Sequence, residues 1–97
     1  MPPLLPFLHQ HRTEIQALAA EYQVVVLGVF GSVARGEETE GSDVDLLVDI
    51  GSDVGLFALG RLRARLADLI GADVDLVPQS TLKAGVRPAV TTDLIPL

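Results

Sequence analysis

Hydrophobic positions recur along this chain in two rhythms, and the changes between them mark its elements. Over residues 7–22, Leu8, Ile15, Leu18, Ala19 and Tyr22 recur at helical spacing, with His9, Gln10, Arg12, Glu14 and Gln16 mainly on the opposite face. Residues 1–6 carry three prolines and read as a loose lead-in, Pro6 being compatible with a first helical position. Residues 24–30 are a continuous, largely β-branched run, which predicts a strand buried on both faces. Over residues 43–50 the rhythm becomes two: Val44, Leu46, Val48 and Ile50 share one face, Asp43, Asp45, Leu47 and Asp49 the other. A helix over 56–70 follows, with Leu59, Leu62, Leu66, Leu69 and Ile70 as its inner stripe and Gly71 as its stop. Residues 73–77 predict a third strand closed by Pro78, and 87–94 a short final helix.

This order constrains the topology. A strand, a helix and a strand in succession form a right-handed crossover, so the second and third strands should be parallel. About a dozen residues separate the first strand from the second. An antiparallel pairing there places the end of the first beside the start of the second. Gly31-Ser32, where the first strand ends, would then face Asp43 and Asp45, and Asp75 would enter from the neighbouring parallel strand. Strands lie roughly 5 Å apart, so three carboxylates from two of them can converge. The expected fold is α/β: a mixed three-stranded core sheet flanked by helices, one domain over residues 1–97. Ser32 is expected to cap a short turn running through Arg35, and 37–42 to form a polar loop. Asp-Val-Asp-Leu occurs twice, at 43–46 and 73–76, which is too short to define a repeat.

Composition narrows the chemistry. The net charge of −6 opposes a nucleic-acid binder, which would carry a basic stripe. Cysteine is absent, which removes disulfides and thiolate-bound zinc. Hydrophobic residues make up 48% of only 97 positions, rich enough that one apolar face can be reserved for a partner. No signal-peptide pattern and no membrane-length apolar run is evident, so the expected compartment is the cytoplasm. Three clustered carboxylates call for protons or cations, and hard oxygen donors favour Mg²⁺ or Mn²⁺ with phosphate oxygens completing the shell. Gly31 permits close backbone approach, and the Ser32 hydroxyl and neighbouring N–H groups suit phosphate.

Gly31-Ser32, ten residues, then Asp43-Val44-Asp45 resembles the Gly-Ser-x10-Asp-x-Asp motif of the DNA polymerase β-like nucleotidyltransferase superfamily. The wider wording, Gly-Ser-x-Ala-Arg-Gly and then Ser-Asp-x-Asp-Leu-x-Val, is similar to the minimal nucleotidyltransferase branch. Asp75 stands where that family has its third carboxylate. The resemblance implies a palm-like nucleotidyltransferase fold, ATP as substrate and two divalent ions, Mg²⁺ or Mn²⁺. Asp43, Asp45 and Asp75 would be catalytic and metal-binding; Gly31 and Ser32 would hold the triphosphate, with Arg35 in the family's arginine position. It further implies an antitoxin that transfers AMP to a tyrosine of a HEPN-type ribonuclease toxin. Two other readings share these residues: an antitoxin that masks its toxin by binding alone, and nucleotidyl transfer to a small molecule or an RNA end.

Competing signals are weaker. Gly31-x4-Gly36 lacks the P-loop lysine, since Glu37 follows, and Asp43-x-Asp45 lacks the later ligands of a calcium loop. Arg35 has an alternative role as an ion-pair partner of Glu37 or Glu38. Asp73 shares the face of Asp75, and Asp49 lies farther along the face of Asp45; both read as surface residues. His9 and His11 read as exposed helix positions, the arginines at 61, 63 and 65 as surface charge, and Tyr22 as packing.

Overall fold

The computed structural model describes residues 4–82, 85 and 87–97. Helices α1 (Leu4–Gln10) and α2 (Arg12–Ala20) lead into strand β1 (Val24–Phe30) and a single turn, α3 (Gly31–Ala34). Strand β2 (Val44–Ile50), helix α4 (Leu56–Ile70) and strand β3 (Val74–Pro78) follow. A 3₁₀ turn (Gln79–Thr81), helix α5 (Arg87–Asp93) and a two-residue strand β4 (Ile95–Pro96) complete the order. The sheet runs β3-β2-β1-β4, with β1 antiparallel to β2 and β2 parallel to β3. The expected crossover and antiparallel pair are both present. The sheet has four strands rather than three, β4 adding to the free side of β1.

Alternation in β2 decides which face is core. Val44, Leu46 and Val48 are buried and join Leu62, Leu66 and Ile70 of α4 and Leu8, Ile15 and Ala19 of α1 and α2 in one cluster. The other face carries Asp45, Leu47 and Asp49. The two Asp-Val-Asp-Leu tetrapeptides prove to be neighbours in register: Val44 pairs with Val74, Asp45 with Asp75 and Leu46 with Leu76.

Strand β1 departs from a strand buried on both faces. Leu27 is an extra residue in the ladder, since Val26 pairs with Val48 while Gly28 pairs with Leu47. This bulge shifts the phase, so Val24, Val26 and Val29 all reach the core while Val25 is 55% exposed. Gly28 is required for a different reason: a methyl group there would overlap the Ile95 carbonyl, so only glycine lets β4 lie this close.

Three local expectations are corrected. The helical stretch at 7–22 is broken at His11, whose φ and ψ of −102° and 15° leave the helical range. His11 is half-buried, its ring stacked on Phe7 with centroids 4.2 Å apart and its Nδ1 3.0 Å from Glu14 Oε1. The lead-in is shorter than six residues, because α1 begins at Leu4 and takes Pro6 into its first turn, where no intrahelical N–H is needed; residues 1–3 lie outside the described residues. Gln16, assigned to the solvent face, turns toward the sheet. Its amide donates to the Val26 carbonyl at 2.6 Å and the Leu97 carbonyl at 3.2 Å, and its Oε1 accepts from Val26 N–H at 3.2 Å.

Gln16 thus acts as one more strand residue on the side of β1 that short β4 does not reach. Gln16→Leu preserves helix propensity but strips partners from three part-buried backbone groups. We expect it to lower stability by about 1–3 kcal/mol, read as a lower urea midpoint with an unchanged m-value.

Candidate active site

β1 ends where β2 and β3 begin, so the topology gathers Gly31-Ser32, Asp43, Asp45 and Asp75 at one end of the sheet. Phe30 pairs with Asp45, and Asp45 with Asp75, across adjacent strands. Gly31 follows at once with φ 75°, a left-handed value that favours glycine, and a side chain there would collide with the Asp45 carboxylate. The first half of the motif is therefore folded directly against the second. Ser32 lies inside the α3 turn rather than capping it, because the N-cap position is Phe30 and carries no side-chain cap. Beyond the turn, the Glu37 N–H donates to the Ser32 carbonyl, and the Thr39 N–H to Ser42 Oγ at 2.8 Å, shaping the loop that delivers Asp43.

Electrostatics single out Asp45. It is half-buried, whereas Asp43 and Asp75 are exposed. Burial raises its carboxyl above the usual value; the charges of Asp75 and then Asp43 push the same way, and Arg35 opposes them. The three carboxylates feel one another but do not form a finished cage: among the described residues, no three His, Asp or Glu side chains are gathered as a metal site. Like charges favour that splayed arrangement. The donor set nonetheless fits a divalent cation of the Mg²⁺ type, being all carboxylate oxygen, open to solvent and held at unfavourable mutual repulsion that a cation relieves.

Arg35 stands nearby in a more constrained state than its sequence position implied. Its Nε donates to Glu37 Oε1 at 2.9 Å and its guanidinium to Asp93 Oδ2 at 2.7 Å, tying α3 to α5. Donation to Asp93 and then to Glu37 raises its pKa above the usual value, so it stays charged. Glu38 takes no part in this pairing and instead accepts the Leu4 N–H at 3.2 Å. Asp49 and Asp73 stay exposed. Farther along the face of Asp45, a recess of about 330 Å³ opens between Leu47, Asp49, Gln79, Ser80, Leu82 and Thr91. Its lining comes from three segments of chain, and no local motif announces it.

This architecture has known counterparts. A solved structure named as a minimal nucleotidyltransferase superposes with a TM-score of 0.82 at 40% identity, covering 96% of this chain and 95% of that one. A toxin–antitoxin crystal structure with AMP-PNP matches with a TM-score of 0.68 at 26% identity, over 82% of this chain and 66% of the other. Among sequences, protein adenylyltransferase MntA of Thermococcus cleftensis is 39% identical over 88 residues, 91% of this chain and 86% of its own. A Methanocaldococcus jannaschii protein also named as an adenylyltransferase is 35% identical over 89 residues, 91% and 88% of the two chains. The nucleotidyltransferase domain family matches residues 10–95, a span that takes in the Gly-Ser turn, all three aspartates and the strands that align them. With the family model spanning the motif and a solved minimal nucleotidyltransferase sharing its overall shape, the chain belongs to the nucleotidyltransferase domain family.

Proposed function

We propose that this chain, as one domain over residues 1–97, transfers AMP from ATP to a tyrosine hydroxyl of a HEPN-type toxin and thereby acts as its antitoxin. The observation that carries this reading is the Asp45–Asp75 pair, in register at the sheet end that also holds Gly31. The names of the relatives support the same direction, one being a protein adenylyltransferase and one a toxin–antitoxin pair with AMP-PNP.

In the reaction, the tyrosine oxygen attacks the α-phosphorus, the bond to the β-phosphate oxygen breaks and pyrophosphate leaves. Gly31 and Ser32 hold the triphosphate through backbone N–H groups and the hydroxyl. Asp43, Asp45 and Asp75 would hold Mg²⁺ or Mn²⁺, which when bound neutralises charge at the phosphates. Asp75, on the strand beyond the other two, takes the proton of the acceptor hydroxyl. Arg35 is available to the phosphates once its bridge to Asp93 opens. Most of the rate enhancement on this reading comes from alignment and charge. Intact carboxylates at all three positions favour chemistry over masking by binding alone.

Two labelled ATP samples test this, one labelled at the α- and one at the γ-phosphate, each with Mg²⁺ and the product of the neighbouring gene as acceptor. The α-label should appear on a tyrosine of the partner and the γ-label should not. Transfer that survives Asp43→Asn combined with Asp45→Asn would refute the mechanism.

A further inference from the structure

Helix α4 begins with two large apolar side chains in water: Leu56 is 87% and Phe57 92% exposed. Neither serves the core, which α4 meets through Leu62, Leu66 and Ile70. Beside Leu56 runs a groove of about 250 Å³, bounded by Leu59, Gly60 and Arg63 of α4 and by Asp75, Leu76 and Pro78 of β3. β3 is the outermost strand of the sheet, so this groove follows its open edge.

We propose that the groove is where the acceptor protein docks, through a segment that sets an apolar side chain beside Leu56 and a carboxylate against Arg63. This rests on the proposed transfer to a protein hydroxyl and adds where that protein is held. Two observations select such an occupant. The first is continuity: Asp75 belongs both to the groove wall and to the carboxylate trio, so a segment lying here presents its neighbouring hydroxyl to the reacting end. The second is charge. On a chain of net charge −6, α4 carries three of the seven cationic residues, at 61, 63 and 65. Arg65 is engaged with Tyr22 and Glu21, whereas Arg61 and Arg63 form no ion pair among the described residues. An acidic, apolar segment therefore meets a basic patch here and repulsion across most of the remaining surface. Gly60, exposed between Leu56 and Arg63, leaves the floor open to a side chain.

The test measures partner binding and nucleotide binding separately, by calorimetry with the product of the neighbouring gene and with ATP. Leu56→Ser with Phe57→Ser, and separately Arg63→Glu, should each weaken the partner at least about tenfold, a change near 1.4 kcal/mol. Both should leave ATP affinity within about twofold, and the loss in Arg63→Glu should shrink at high salt. Arg12→Glu, the same charge change on α2, should bind the partner as the parent does.

Partner binding unchanged in both groove variants, with AMP transfer intact in the parent, would place docking elsewhere. ATP affinity falling in parallel would assign the groove to the nucleotide or to the fold, and also overturn the proposal. A change in the oligomeric state of the chain alone would make a second copy the occupant and would overturn it equally. If the groove variants lose the partner but the parent transfers no AMP, the docking surface stands and the proposed reaction fails.

Discussion

Asp45→Asn should remove AMP transfer, by on the order of 10³-fold or more, while the unliganded protein becomes no less stable than the parent at pH 7. The two halves of this result have one origin. Asp45 is the half-buried member of a carboxylate trio, and burial, then Asp75, then Asp43 disfavour its ionised form. Its folded pKa is raised above the ordinary 3.8, so its favourable contribution is complete below that value and is lost as pH rises through the folded pKa. At neutral pH the carboxylate opposes folding. Asparagine keeps the shape and removes the charge, so thermal unfolding should show a Tm equal to or slightly above the parent's. The difference should close as pH approaches 3.5. The gain is small because the site is largely solvated and screened.

A divalent cation should reverse the order. Mg²⁺ or Mn²⁺ at ten times its dissociation constant stabilises the parent by about 1.4 kcal/mol, and the variant should lose most of that shift. Loss of a ligand together with the charge stabilisation it supports accounts for the size of the catalytic defect, each 1.36 kcal/mol being about tenfold in rate. A variant destabilised by more than about 1 kcal/mol without metal would instead make Asp45 a structural residue. Measuring stability beside activity is what separates these outcomes.

What the chain discloses in one dimension follows the range of the interaction involved. Alternation in β2, the stripe of α4 and its Gly71 stop are local, and both elements appear where expected. The meeting of Gly31, Asp43, Asp45 and Asp75 at one end also followed, because strand order and a crossover rule fix which ends coincide. The uniform run Val24-Val25-Val26-Leu27 carries no alternation, so nothing marked the bulge that turns Val25 outward. Gln16 looks like any polar helix residue until an unpaired stretch of β1 lies opposite it. β4 is two residues long, one of them proline, and is held by packing against Gly28 rather than by a pattern of its own. The Arg35–Asp93 bond spans 58 positions, and no spacing rule reaches that far.

Gly31→Ala should cost far more activity than its effect on stability explains. The backbone at Gly31 has φ 75°, where an L-residue loses about 1–2 kcal/mol. That strain alone would lower Tm by several degrees in a domain of this size. The added methyl group also points at the Asp45 carboxylate. Because that atom ends a short side chain able to rotate, the clash is relieved by moving Asp45 rather than by opening the sheet. The fold therefore survives while the carboxylate leaves its place beside Asp75. We expect transfer to fall at least about 10²-fold, in keeping with an ångström-scale displacement at a reacting centre. Stability should fall by no more than the backbone strain, and circular dichroism should remain that of the parent. Gly36→Ala supplies the comparison. Gly36 has a similar φ of 71° but nothing within reach of an added methyl, so it should show the stability loss without the collapse in activity. Equal losses of activity in the two variants would mean that strain, not the contact with Asp45, sets the requirement at Gly31.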